Sequence, residues 1–151
     1  RKALSFHLDQ LCRTLPCSLV FAHLAILGPR PSTYLSLMQL VPPPANRIAD
    51  ALGVAEFYPA ALYSPAVNVR FGAFYLNQLL SQFGGSRPLA IAAYNAGPEK
   101  VEQWQRRDGD LASDMFVESV PYSETRQYLR RVLRSQRMYR LLYTEHRAAP
   151  E

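Results

Sequence analysis

Three groups of residues in this chain have the types and spacing to carry chemistry. The first is basic. Seven arginines fall between Arg126 and Arg147, and Arg126, Arg130, Arg134 and Arg137 recur at a spacing that lines them along one side of a helix. Such a stripe suits phosphate or another anion, and it equally suits a solvated helix face. The second group is Tyr94-Asn95, just ahead of Gly97. A hydroxyl and an amide can each donate and accept, toward a ligand or toward backbone groups left open at a helix end. The third is acid, and its distribution is uneven: no Asp or Glu occurs from Gln10 to Ala49. In that window His23 is the one group able to act near neutral pH, and a lone histidine on an apolar face is more often packed core. Cys12 and Cys17 are the only cysteines, with no His/Cys cluster at metal spacing, so neither a metal nor an organic cofactor is expected.

Helices must position these groups. Ser64-Pro65 opens an apolar-periodic run through Val67, Phe71, Phe74 and Leu79, which Gly84-Gly85 closes. Serine supplies an N-cap acceptor, proline fits the first turn and glycine takes the left-handed position at the end. The same punctuation recurs at Pro88 to Gly97 and at Pro98 to Trp104. Ser123 then caps a last helix with apolar residues at Tyr128, Leu129, Val132, Leu133 and Tyr139. No run alternates strictly as a half-buried strand would. The expected fold is all-α, several short helices with two longer ones, in a single domain over residues 1–151.

Composition narrows the class. Hydrophobic residues make up 48% and charged residues 19%, which is globular rather than disordered. The most apolar stretch, Cys17 to Gly28, is too short to span a bilayer and is broken by His23. A net charge of +5 favours an anionic partner: nucleic acid, a lipid surface or cell-wall polymer. The chain starts at Arg1 without methionine, as a piece of a longer product would. Residues 11–37 stand apart, with both cysteines, His23, no acid, and Gly28-Pro29-Arg30-Pro31 barring a continuous helix.

Four segments, in order, resemble the lysozyme-like domain of the lytic transglycosylases. Ser36-Leu37-Met38-Gln39-Leu40-Val41-Pro42 is similar to that family's Gly-Leu-Met-Gln motif, with Ser36 where the family usually has Gly and Val41 where it usually has Met. Leu62 to Ala73, with Tyr75-Leu76, is similar to its Asn-Ile helix. Ala92-Ala93-Tyr94-Asn95-Ala96-Gly97-Pro98 matches Ala-Tyr-Asn-Ala-Gly, with Val101 and Trp104 in the expected places. Phe116 to Tyr128 matches the closing motif and its helix. The resemblance implies that Gln39, Tyr94 and Asn95 line a glycan cleft, with Glu124 near it and the Tyr94 hydroxyl beside the catalytic carboxylate. Taken alone, Tyr94 and Asn95 also read as helix-end caps, and Met38 and Trp104 as ordinary core.

The family cleaves the MurNAc-GlcNAc β-1,4 bond of peptidoglycan with one glutamate. It protonates the glycosidic oxygen, then as carboxylate helps the sugar's own 6-hydroxyl attack, giving a 1,6-anhydro product without water. Such an acid must hold its proton, which burial near apolar side chains supplies. Counting from Met38 by the family spacing lands near Phe21, and matching the apolar run lands near Leu27; neither is acidic. Glu56, in Glu56-Phe57-Tyr58-Pro59, echoes the motif but lies after Met38-Gln39. Glu118 and Glu124 match positions that are not the acid, and Glu124 falls in a first helical turn, where the dipole favours the ionised form.

The expectation is therefore a lysozyme-like domain of a longer exported protein in the cell envelope, in the periplasm. It recognises peptidoglycan glycan strands, alongside cell-envelope partners, and does not bind nucleic acid. No catalytic residue is assigned, and activity is impaired. Two accounts of the loss stay open: a pseudoenzyme that keeps the cleft, or a segment over residues 11–37 that is not the native reading. The alternative class is a nucleic-acid-binding helical module using Arg126, Arg130, Arg134 and Arg137, whose binding would weaken steeply with salt.

Overall fold

The computed structural model describes Met38, Leu40, residues 42–109 and residues 111–144. Residues 11–37, with Cys12, Cys17, His23 and both candidate acid positions, lie outside the described residues, as does Gln39. The described elements are α1 (Pro42–Ala51), a 3-10 helix (Pro59–Tyr63), α2 (Pro65–Gln82), α3 (Arg87–Ala96), α4 (Pro98–Asp108), α5 (Ser113–Ser119) and α6 (Ser123–Thr144). Among the described residues there is no strand, and no helix is long and apolar enough to cross a membrane. The all-α expectation holds.

The chain forms two compact units, one running to Asn77 and one from Gln78. In the first, α1 opens on three prolines, which fit a first turn whose N–H groups have no intrahelical partner. Ala45, Ile48 and Ala49 then fall on one buried face, while Asn46, Arg47 and Asp50 are exposed. That face joins Leu40, Leu62 and Phe71 in a core onto which Leu52, Val54, Phe57, Val67, Phe74 and Tyr75 pack. Phe57 and Phe71 meet with ring centroids 5.3 Å apart.

The predicted end of α2 is realised at Gly84-Gly85. Gly84, at φ +58, donates to the Ser81 carbonyl at 3.3 Å, and Gly85 donates to the Leu80 carbonyl at 2.7 Å. This closure needs a left-handed residue, which glycine supplies without a Cβ clash. Beyond it, α3 is the centre of the second unit and touches α4, α5 and α6. Ala90, Ile91, Ala92 and Ala93 are all buried, so α3 has little solvent face, and its small side chains let neighbours approach closely.

The last helix differs in one detail from expectation. Ser123 is its first residue rather than its cap, because the Tyr122 carbonyl accepts from the Arg126 N–H at 2.9 Å. Its buried face carries Thr125, Tyr128, Leu129, Val132 and Gln136. Two short elements, α1 and α5, were not anticipated from the sequence.

Candidate functional site

Tyr94 and Asn95 occupy the last turn of α3, the first half-buried and the second exposed. Gly97 follows at φ +92, and its N–H donates to the Ala93 carbonyl at 2.9 Å. The same glycine stands at the start of α4, so one left-handed residue ends one helix and turns directly into the next. The Asn95 Oδ1 accepts from the Thr125 hydroxyl at 2.7 Å, across to the first turn of α6, where Thr125 is buried. With Oδ1 facing Thr125, its NH₂ donors are directed away from that residue.

Glu124 immediately precedes Thr125 and is exposed. The second unit therefore brings Tyr94, Asn95 and the Glu124 position to adjoining helix ends through a single hydrogen bond. Nearby in the chain, Tyr122 is partly exposed and its ring packs perpendicular to buried Trp104, with centroids 5.3 Å apart and planes at 85°. Tyr122 was not singled out from the sequence; its signal was an aromatic residue wedged between Pro121 and a helix start. Trp104 itself is core, as the plainer reading had it.

In the first unit the informative residue is Asn68, the asparagine of the segment similar to the Asn-Ile helix. Asn68 is buried in the middle of α2's apolar pattern. Its Oδ1 accepts from the Met38 backbone N–H at 2.7 Å, and its Nδ2 donates to the Leu62 carbonyl at 3.2 Å. One carboxamide thus ties the residue before Gln39 to the end of the 3-10 helix, satisfying a buried donor and a buried acceptor together. Met38 is fully buried, and a Cβ added at Gly72 would lie 2.6 Å from both its Cβ and its Cγ. Glycine at this helical position is what lets the Met38 segment sit directly on α2.

The remaining carboxylates take other roles. Glu118 accepts from Arg130 Nε at 3.1 Å and forms a second, shorter contact with its Nη2. This hydrogen bonding, followed by the Arg130 charge, pulls the Glu118 carboxyl below its ordinary range, so it is held ionised and unsuited to giving up a proton. Asp108 is lowered likewise by its hydrogen bond from Arg107. Glu56 is exposed on the loop after α1, the opposite of the apolar burial a proton donor needs. Of the arginine stripe, Arg126 donates to the Val120 carbonyl at 2.9 Å and Arg130 is paired with Glu118, while Arg134 and Arg137 are exposed. A dimple of about 50 Å³ between Ser86, Leu89, Gln105, Leu111 and Phe116 includes none of the candidate residues and is far smaller than a sugar site. Among the described residues no group of three His, Cys, Asp or Glu is placed to hold a metal.

The sequence matches the Transglycosylase SLT domain family over residues 26–117, which is more than half of the chain. The chain belongs to this family. Its relatives include the soluble lytic murein transglycosylase of Salmonella typhimurium, 39% identical over 106 residues, a match covering 69% of this chain and 16% of that protein. The membrane-bound lytic murein transglycosylase C of Haemophilus influenzae is 32% identical over 128 residues, covering 71% of this chain and 36% of the relative. Among solved structures, an inactive mutant of the lytic transglycosylase Slt from Pseudomonas aeruginosa superposes with a TM-score of 0.79 at 37% identity, covering 93% of this chain and 24% of that one. The 70 kDa soluble lytic transglycosylase of Escherichia coli gives a TM-score of 0.79 at 31% identity, covering 89% and 24%. The fold is the lysozyme-like fold of this family, and the chain spans a minor part of the relatives it matches.

Proposed function

We propose that this SLT domain recognises the glycan strands of peptidoglycan and has lost most of the family's cleavage chemistry. The observation carrying the proposal is a family match over residues 26–117 in a chain with no Asp or Glu from Gln10 to Ala49. Gln39, Tyr94, Asn95 and Glu124 are its proposed glycan contacts. Asn95 offers NH₂ donors turned away from Thr125, the chemistry that sugar hydroxyls and N-acetyl carbonyls accept. Tyr122, packed against Trp104 and partly exposed, is an aromatic neighbour of the kind sugars pack on.

The ancestral reaction is non-hydrolytic cleavage of the MurNAc-GlcNAc β-1,4 bond to a 1,6-anhydro end. It requires a proton at the leaving glycosidic oxygen before the 6-hydroxyl can displace it. Glu118 is held ionised by Arg130, and Glu56 stands in water, so neither has the surroundings of that donor. Without it the domain binds and does not turn over. Its proposed setting is the periplasm, within a longer exported protein. No cofactor enters the scheme.

The test is digestion of purified sacculi, with mass spectrometry for 1,6-anhydro muropeptides and an active relative as control. The expected result is co-sedimentation with sacculi and no anhydro ends above the blank. Anhydro ends would sink the loss of chemistry and send mutagenesis first to Glu56 and Glu124. A chain that stays in the supernatant would sink glycan recognition.

A further inference from the structure

The outward face of α6 carries a second feature that the glycan reading does not use. At ~100° per residue, Arg131, Arg134, Met138 and Leu141 follow one another at steps of three, four and three and form a single line along the helix. All four are exposed, and Arg137 flanks them. Met138 and Leu141 keep 50% and 51% of their surface in water, on a helix whose opposite side buries Tyr128, Leu129, Val132 and Gln136. The division is sharp: one face is core, and the other carries cations that are followed toward the helix end by two aliphatics.

Among the described residues no carboxylate is paired with the charge on this face. From Arg126 to Arg140 the helix has no acidic residue, and among the described residues Arg131, Arg134 and Arg137 form no salt bridge. Arg126 and Arg130, by contrast, are committed to Val120 and Glu118. Half of the apparent stripe is thus an internal fastening. The half that remains, Arg134 and Arg137, adjoins Met138 and Leu141.

We propose that this face, Arg131-Arg134-Arg137 with Met138 and Leu141, is a docking surface for an anionic lipid bilayer. Guanidinium groups meet lipid phosphates at the headgroup level, while the two aliphatic side chains enter the boundary with the acyl chains; the ~15 Å strip lies parallel to the surface. Nucleic acid fits less well. Phosphate contacts would leave Met138 and Leu141 in water, and among the described residues the face presents no exposed aromatic ring on which a base could stack. The inference is independent of the glycan site.

The experiment is co-sedimentation of the 151-residue chain with phosphatidylglycerol-containing vesicles, with pure phosphatidylcholine vesicles and a fluorescent DNA duplex alongside. Binding to the anionic vesicles that falls with added salt is expected, with little binding to phosphatidylcholine. Each arginine contributes about fivefold to such partitioning, so R131Q/R134Q/R137Q should weaken it about a hundredfold. M138S/L141S should weaken it at least severalfold at unchanged charge. Both variants alter exposed positions, and circular dichroism verifies their fold. Equal binding to both vesicle types, or no binding to either, overturns the proposal. So does M138S/L141S binding like the parent, or a DNA affinity exceeding the vesicle affinity and lost with the arginines.

Discussion

Removing the Asn68 carboxamide tests the claim that one buried amide fastens the Met38 segment to α2. Asn68→Ala leaves the Met38 N–H and the Leu62 carbonyl without their partner. An orphaned buried polar group costs about 1–3 kcal/mol, and the carbonyl, with its second lone pair, belongs at the low end. Adding the small void left by the missing atoms, the expected loss is about 2–4 kcal/mol. For a chain of this size about 2–4 °C is lost per kcal/mol, so the melting temperature should fall by about 4–16 °C. Urea unfolding followed by far-ultraviolet circular dichroism measures the loss, provided the slope with denaturant is unchanged. Asn68→Asp serves as the companion. Burial raises the new carboxyl's folded pKa above its unfolded value, so its penalty is absent below the unfolded range and grows as pH rises through the folded pKa. At acid pH the protonated carboxyl can donate to Leu62 as the amide does, so the deficit relative to the parent should narrow. A loss below about 0.5 kcal/mol for Asn68→Ala, the scale of an ordinary surface change, would refute the fastening role.

Two further outcomes follow from the second unit. Thr125→Val keeps the buried shape and removes the hydroxyl that donates to Asn95, so stability should fall by about 0.5–1.5 kcal/mol and sacculus binding should weaken as well. Stability lowered with binding unchanged would remove Asn95 from the glycan contacts. Glu118 is held below its ordinary value of 4.5 by Arg130, so the pair stabilises the fold above that range and its contribution is lost as pH falls through the folded pKa. Both side chains are about half exposed, which keeps the effect small and sensitive to salt. Melting temperatures of the parent and Glu118→Gln should therefore differ slightly at neutral pH and approach each other in acid; a gap that does not narrow at all as pH falls through and below the ordinary carboxylate range would contradict the assignment.

The sequence alone determined what depends on local order along the chain. The helical class, the stop at Gly84-Gly85 and the turn at Gly97 follow from apolar spacing and from glycine's access to the left-handed region, which are properties of a few adjacent residues. The four motifs placed the chain in its family by the same kind of short-range evidence, and the lack of acid from Gln10 to Ala49 is a fact of composition. Only the tertiary structure decided where Asn95, Asn68 and the arginines spend their hydrogen bonds. Asn95 reads in sequence as a helix-end cap or a cleft residue, and only the structure shows Thr125, thirty positions on, donating to its Oδ1. Asn68 is part of a motif in the sequence, and its role there is given only when Met38 and Leu62 meet its two ends. Arg126 and Arg130 read as half of one stripe with Arg134 and Arg137 until α5 and its following turn claim the first pair. The physical reason is common to all three. A polar side chain has several partners of similar strength available, and the choice among them is fixed by which distant backbone or side chain burial brings within reach.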